Sequence, residues 1–208
     1  MKPQTYARGL AAIAIGAFAA ITLVLGGQPD ATWFRPASIA ATIVGLFALV
    51  VDWAAPRTPM TRKLFKLPDL RGTWAATIRP TDIRSGATSG REVLAYVTIR
   101  QRLGNVTVAL FTAENTSHST SASITNVNES KYLAYTYRGE PKASVQHRSP
   151  NHYGAARLHI LGSTLSGAYW TDRLSKGELD LTQRLSKKSH DGFDDCARLD
   201  NRTSAHSR

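Results

Sequence analysis

Two hydrophobic spacings divide the chain. Residues 9–27, GLAAIAIGAFAAITLVLGG, contain no charged residue. As a helix at about 1.5 Å per residue, such a run is long enough to cross the ~30 Å hydrocarbon layer of a bilayer. A second uncharged run, residues 37–51, follows closely, with Trp33 and Trp53 at its edges, where indole rings favour the membrane interface. Together they predict a membrane α-helical hairpin over residues 1–56, with two transmembrane helices at about 9–27 and 36–55. A basic linker, 57–70, follows. From residue 71 the apolar period becomes two. The strands it predicts are RGTWAATIR (71–79), EVLAYVTIRQRL (92–103), VTVALFTA (106–113), SHSTSASITNV (117–127), KYLAYTYRG (131–139), YGAARLHIL (153–161), TLSGAYWTDR (164–173) and GELDLTQRL (177–185). Eight short strands separated by turns predict an all-β domain over 71–185, a compact eight-stranded antiparallel β-barrel. An interior of that strand number is just filled by side chains or holds one small ligand. The polar remainder, 186–208, is expected to be disordered.

A cleavable signal is the alternative for the first run, but it is longer than a usual signal core, Leu25-Gly26-Gly27 is a poor cleavage site, and a second run follows at once. Lys2 and Arg8 precede the first helix and Arg57, Arg62, Lys63 and Lys66 follow the second, whereas Arg35 alone stands in the connection. The positive-inside bias then places both termini and the barrel in the cytoplasm. The single cysteine, Cys196, suits a reducing compartment. Small residues recur every fourth position in both runs, at Ala12, Gly16 and Ala20 and at Ala37, Ala41 and Gly45. Such stripes allow close helix packing in lipid.

Alternation assigns the barrel's faces. Trp74, Ala76 and Ile78 are expected inside, as are Leu133, Tyr135 and Tyr137. The same rule groups Leu165, Gly167, Tyr169, Thr171 and Arg173, and also Leu179, Leu181 and Leu185. One end of the interior is then apolar and the other is lined by Tyr135, Tyr137, Tyr169, Thr171 and Arg173. The last hairpin is expected to turn at Ser175-Lys176-Gly177. Guanidinium matches phosphate bidentately and aromatic faces stack on bases, so this end suits a ligand with both flat rings and phosphates. Plain core packing for the aromatics, and a rim pairing of Arg173 with Asp172 or Glu178, are the alternatives.

Charge narrows the partner. The chain carries a net +11, and residues 61–185 hold 17 Lys/Arg against 9 Asp/Glu, which favours an anionic ligand or membrane surface. Enzymatic classes find no footing. There is no metal-ligand spacing among the six histidines, no GxSxG and no phosphate-binding glycine loop, so no catalytic residue, metal or cofactor is expected.

Two N-terminal membrane runs, a basic joint, LPDLRGTW at 67–74 and YWTDRLSKGELDL at 169–181 resemble the bacterial SMODS-associated two-transmembrane, β-strand-rich effectors of CBASS antiphage systems. The resemblance covers roughly residues 8–185. It implies an inner-membrane protein whose cytoplasmic barrel binds a cyclic oligonucleotide, a cyclic dinucleotide by expectation, rather than a DNA or RNA polymer. Ligand-promoted homo-oligomerisation and disruption of the bilayer would then abort the infection. It carries ligand binding onto Tyr169, Thr171 and Arg173, and less directly onto Trp74. The alternative is a membrane-anchored, lipocalin-like barrel for a lipid or other apolar ligand.

Overall fold

The computed structural model describes residues 15–16, 19–20, 34–54, 57–59, 63, 67–81 and 92–206. The chain divides into two compact units, one of residues 1–69 with 102–104, the other of residues 70–101 with 105–208.

In the first unit, α1 spans Phe34–Ala54. Asp52 closes its end: its carbonyl accepts from the Leu103 N–H at 3.0 Å and its Oδ1 from the Gly104 N–H at 3.0 Å. The Arg57 guanidinium lies 4.2 Å from the Trp53 ring centroid. Among the described residues, no helix is long and apolar enough to cross a membrane, so the expected two-span hairpin is not supported by the structure. α1 itself runs for 21 residues, with Arg35 and Asp52 bounding an uncharged stretch at residues 36–51. Most of the expected first helix, including Ala12, lies outside the described residues. A methyl group added at Gly16 or Gly45 would meet nothing within 4 Å, and Ala20 and Ala41 are exposed. Gly16, Ala20, Ala41 and Gly45 are thus exposed among the described residues, and the Ala37 side chain lies outside them.

The second unit is the expected closed barrel: β1 (Gly72–Thr81), β2 (Val93–Gln101), β3 (Val106–Phe111), β4 (Asn115–Val127), β5 (Ser130–Pro141), β6 (His152–Leu161), β7 (Thr164–Thr171) and β8 (Lys176–Ser186). Each strand pairs antiparallel with the next, and β8 returns to β1. Inward alternation builds one core from Trp74, Ala76, Ala95, Val97, Ile99, Leu133, Leu158, Leu165, Leu179 and Leu181, all nearly inaccessible. Asn128 and Glu129 take left-handed φ angles of 46° and 68°, the backbone that a two-residue hairpin needs to follow the strand twist.

Two expectations about β8 are corrected. The β7–β8 turn falls at residues 172–175, and Lys176 and Gly177 already pair with Trp170 and Tyr169. Thr171 and Ser175 close the turn through a hydroxyl contact of 2.6 Å and a backbone bond of 2.9 Å, with Leu174 at φ 58°. Further along, the β1 register shifts between Ala75 and Ala76, whose partners are Gln183 and Leu181. The extra residue of this bulge reverses the alternation. Arg184, which strict alternation puts on the face opposite that of Leu179, Leu181 and Leu185, lies across from Trp74 with its guanidinium 5.0 Å from the ring centroid. Leu185, expected inside, packs on the outer cluster of Tyr96, Ala109, Phe111 and Cys196.

That outer cluster also corrects the expected disordered tail. Residues 193–206 form α2 (Phe193–His206). Phe193, Cys196 and Ala197, at helical spacing, bury themselves on the outward side chains of β2 and β3. Tyr96 donates to Asp200 at 3.2 Å and its ring lies 5.3 Å from that of Phe193. Thr73 and Thr98 hold the approach to the helix, accepting from the His190 N–H at 3.0 Å and donating to the His190 carbonyl at 2.5 Å. A helix this short is marginal in water; burial on the barrel wall stabilises it. Burial likewise raises the Cys196 thiol to about 11.

Candidate ligand cavity

The ends of β1, β3, β5 and β7 and the starts of β2, β4, β6 and β8 gather at one end of the barrel. A cavity of about 150 Å³ opens there. Ile78, Val108, Leu110 and Leu179 make its apolar walls, and Thr112, Asn115, Ser117, Tyr135, Tyr137, His152, Tyr169, Thr171, Arg173 and Ser175 complete it. Five of the six expected ligand residues thus share one cavity. Trp74 does not line it. It stands near the start of β1, four residues from Ile78, or about 13 Å along the strand, and its indole is 1% exposed. The Trp74 Nε1–H donates to the Leu70 carbonyl at 2.9 Å. Its place is in the core at the other end.

The aromatic rings are set by glycines on neighbouring strands. Tyr137 pairs with Gly154, His152 with Gly139 and Tyr169 with Gly177. A methyl group at Gly154 would come within 2.4 Å of Tyr137 Cζ, one at Gly139 within 2.4 Å of His152 Cε1, and one at Gly177 within 2.9 Å of Tyr169 Cε1. Each ring therefore lies over bare backbone, as aromatic residues do when they cover strand glycines. Tyr135 and Tyr137 stand with ring centroids 5.9 Å apart, and His152 meets Tyr137 edge-on at 6.3 Å. Burial raises all three phenols above their ordinary value, Tyr137 to about 12, so near neutral pH they present neutral hydroxyls.

Arg173 sits in the turn after β7. Its Nη1 donates to Ser149 Oγ at 2.7 Å and its Nη2 lies 3.5 Å from His152 Nε2. With His152 Nδ1 3.3 Å from the Pro150 carbonyl, a proton on Nδ1 leaves Nε2 as the acceptor for Arg173. Neither expected rim partner holds the guanidinium. Asp172 accepts from the Tyr153 N–H at 3.0 Å, and Glu178 and Asp180 pair with Arg79. Among the described lining residues Arg173 is the sole formal charge, and no carboxylate of the described residues forms an ion pair with it. Thr171 is committed to its own turn through Ser175, which makes it a shaping residue.

His152, Ser149 and Asn115 were not anticipated. Asn115 and Ser117 share an inward face, but with the fourth strand begun at 117 the asparagine reads as loop. For His152 the local pattern held no signal, because Gly139, over which its ring lies, is opposite it only across the β5–β6 pairing.

Burial, and then the Arg173 charge, lower the His152 pKa from its ordinary 6.5. The folded protein binds this proton less readily than the unfolded chain, so the associated stability is intact above about 6.5 and is lost as pH falls through the folded value. Gly139→Ala should push the imidazole off the wall and towards solvent. The expected result is a His152 pKa, followed by NMR titration, that rises towards 6.5. An unchanged value would mean that the ring does not rest on Gly139.

The sequence pattern of the Cap15 cyclic dinucleotide receptor domain matches residues 65–183, more than half of the 208-residue chain. The chain belongs to this family. All the cavity residues fall inside the matched span, whereas α2 falls outside it. Among curated proteins, CD-NTase-associated protein 15 of Staphylococcus schleiferi is 32% identical over 123 residues, which cover 57% of this chain and 65% of that relative. The match thus spans just under two thirds of the relative's length.

Proposed function

We propose that this chain is a CBASS effector whose barrel binds a cyclic dinucleotide at the cavity, and that binding gathers chains so that their N-terminal segments disrupt the bacterial inner membrane. The observation that carries the reading is the cavity itself. Neutral aromatic rings and an unneutralised arginine converge there, in a chain of a cyclic dinucleotide receptor domain family. Rings suit bases, and guanidinium suits the phosphodiesters. The net charge of +11 favours encounter with a dianion.

In this reading residues 1–69 supply the membrane-acting part, with the barrel on the cytoplasmic side, and the chain works by binding rather than catalysis. Support comes from the uncharged run at 9–27 and from the exposure of Ile43, Leu46, Phe47, Leu49 and Val50 on α1, although among the described residues no helix reaches a full span. Ligand drives assembly only if it binds the assembled state more tightly.

The test is calorimetric titration of the full chain in detergent with cyclic di-AMP, cyclic di-GMP, cyclic di-UMP and cyclic GMP-AMP, with a fatty acid as comparison. Saturable binding of at least one cyclic dinucleotide, followed by dye release when that ligand is added to liposomes carrying the chain, is the expected outcome. Binding of the fatty acid alone would favour the lipocalin-like alternative.

A further inference from the structure

We infer that only one base of the ligand enters the barrel, and that Asn115 reads it by accepting a hydrogen bond from a base N–H. The inference rests on the cyclic dinucleotide reading above and deepens it. Two observations carry it.

The first is size. The cavity holds about 150 Å³, the volume of an apolar pocket that takes a single small aromatic ring. Two bases joined through sugars and phosphates do not fit in that space. One base goes in among Tyr135, Tyr137 and Tyr169, while the phosphodiester ring and the second base stay at the mouth. Arg173, in the turn beside the mouth and exposed to solvent, is placed for the phosphates.

The second is an orphaned acceptor. Asn115 lines the cavity, and its Oδ1 is buried with no hydrogen-bond partner among the described residues. Its amide Nδ2 is already engaged, donating to Ser117 Oγ at 2.9 Å. The backbone beneath is clamped across the β3–β4 turn: the Asn115 N–H donates to Thr112 Oγ1 at 2.9 Å and the Asn115 carbonyl accepts from the Thr112 N–H at 2.9 Å. A buried acceptor without a partner destabilises the empty site. An incoming N–H on the edge of a base relieves that cost, and a base edge presenting an acceptor there does not. Discrimination between bases therefore falls on Asn115, whereas Arg173 contacts what all cyclic dinucleotides share.

The experiment titrates the full chain in detergent, as wild type, Asn115→Leu, Asn115→Asp and Arg173→Ala, with the same four cyclic dinucleotides, and melting curves establish that each variant is folded. For the probe that the wild type binds best, Asn115→Leu should weaken binding about 5- to 30-fold and narrow the preference between probes. Asn115→Asp, which keeps an acceptor, should retain the rank order. Arg173→Ala should lower the affinity of every probe by a similar factor. If cyclic GMP-AMP binds as well as the better of cyclic di-AMP and cyclic di-GMP, one base is read; if it falls midway between them, both are, and the inference is overturned. An undiminished preference between probes in folded Asn115→Leu also overturns it. Failure of the wild type to bind any of the four defeats the underlying reading instead.

Discussion

Trp74→Ala should destabilise the barrel by about 3–5 kcal/mol, the usual cost of removing a buried indole. In a domain of this size the thermal midpoint should fall by roughly 10–20 °C. The indole is 1% exposed, donates to the Leu70 carbonyl at 2.9 Å and carries the Arg184 guanidinium on its face. Its removal opens a cavity, leaves a buried carbonyl unpaired and strips Arg184 of its cover. Ligand affinity, measured by calorimetry well below the transition, should be unchanged, because Trp74 lies at the end of the barrel away from the cavity. Circular dichroism melts and the titration together decide between core and contact residue. A loss of affinity with little change in stability would return Trp74 to the binding site.

Arg173→Ala should do the reverse. Its guanidinium pairs with no carboxylate among the described residues and bonds only Ser149 and His152, so the melting curve should barely move. A charge-assisted hydrogen bond to a phosphate contributes about 1.5–3 kcal/mol, and its loss should weaken cyclic dinucleotide binding about 10- to 150-fold. Arg173→Lys should recover part of this, since a lysine keeps the charge but not the bidentate fork. The salt dependence of binding should also become shallower in the alanine variant. Affinity and salt dependence both equal to wild type in the folded alanine variant would remove Arg173 from the site.

The residues explain how far each kind of inference reached. Leu133, Tyr135 and Tyr137 on β5, and Leu165, Tyr169 and Thr171 on β7, were legible because a strand places alternate side chains on one face, and a closed barrel has one interior to receive them. The same rule failed at Leu185 and Arg184, since a bulge residue reverses the assignments that follow it and nothing in GELDLTQRL marks where the register against β1 slips, which it does twice. It failed again at the last hairpin, where Lys176-Gly177 looks like turn material but the turn, at 172–175, is already closed by Thr171 and Ser175.

Local pattern by itself determined the strand number, the barrel class and the inward set that contains seven of the cavity residues, because these depend on a period of two and on chain connectivity alone. Position along the barrel axis was another matter. Trp74 shares the inward face with Ile78, yet only the register of β1 on β2 and β8 separates the core end from the cavity end. Two further features belong to the tertiary structure. The pairing of Gly139, Gly154 and Gly177 with His152, Tyr137 and Tyr169 joins residues on different strands, and so does the wall of Tyr96, Ala109 and Phe111 on which α2 rests. A polar tail with three apolar residues at helical spacing has no reason to fold alone. It becomes a helix because the outward faces of β2 and β3 offer an apolar surface, and that surface exists only once the barrel has closed.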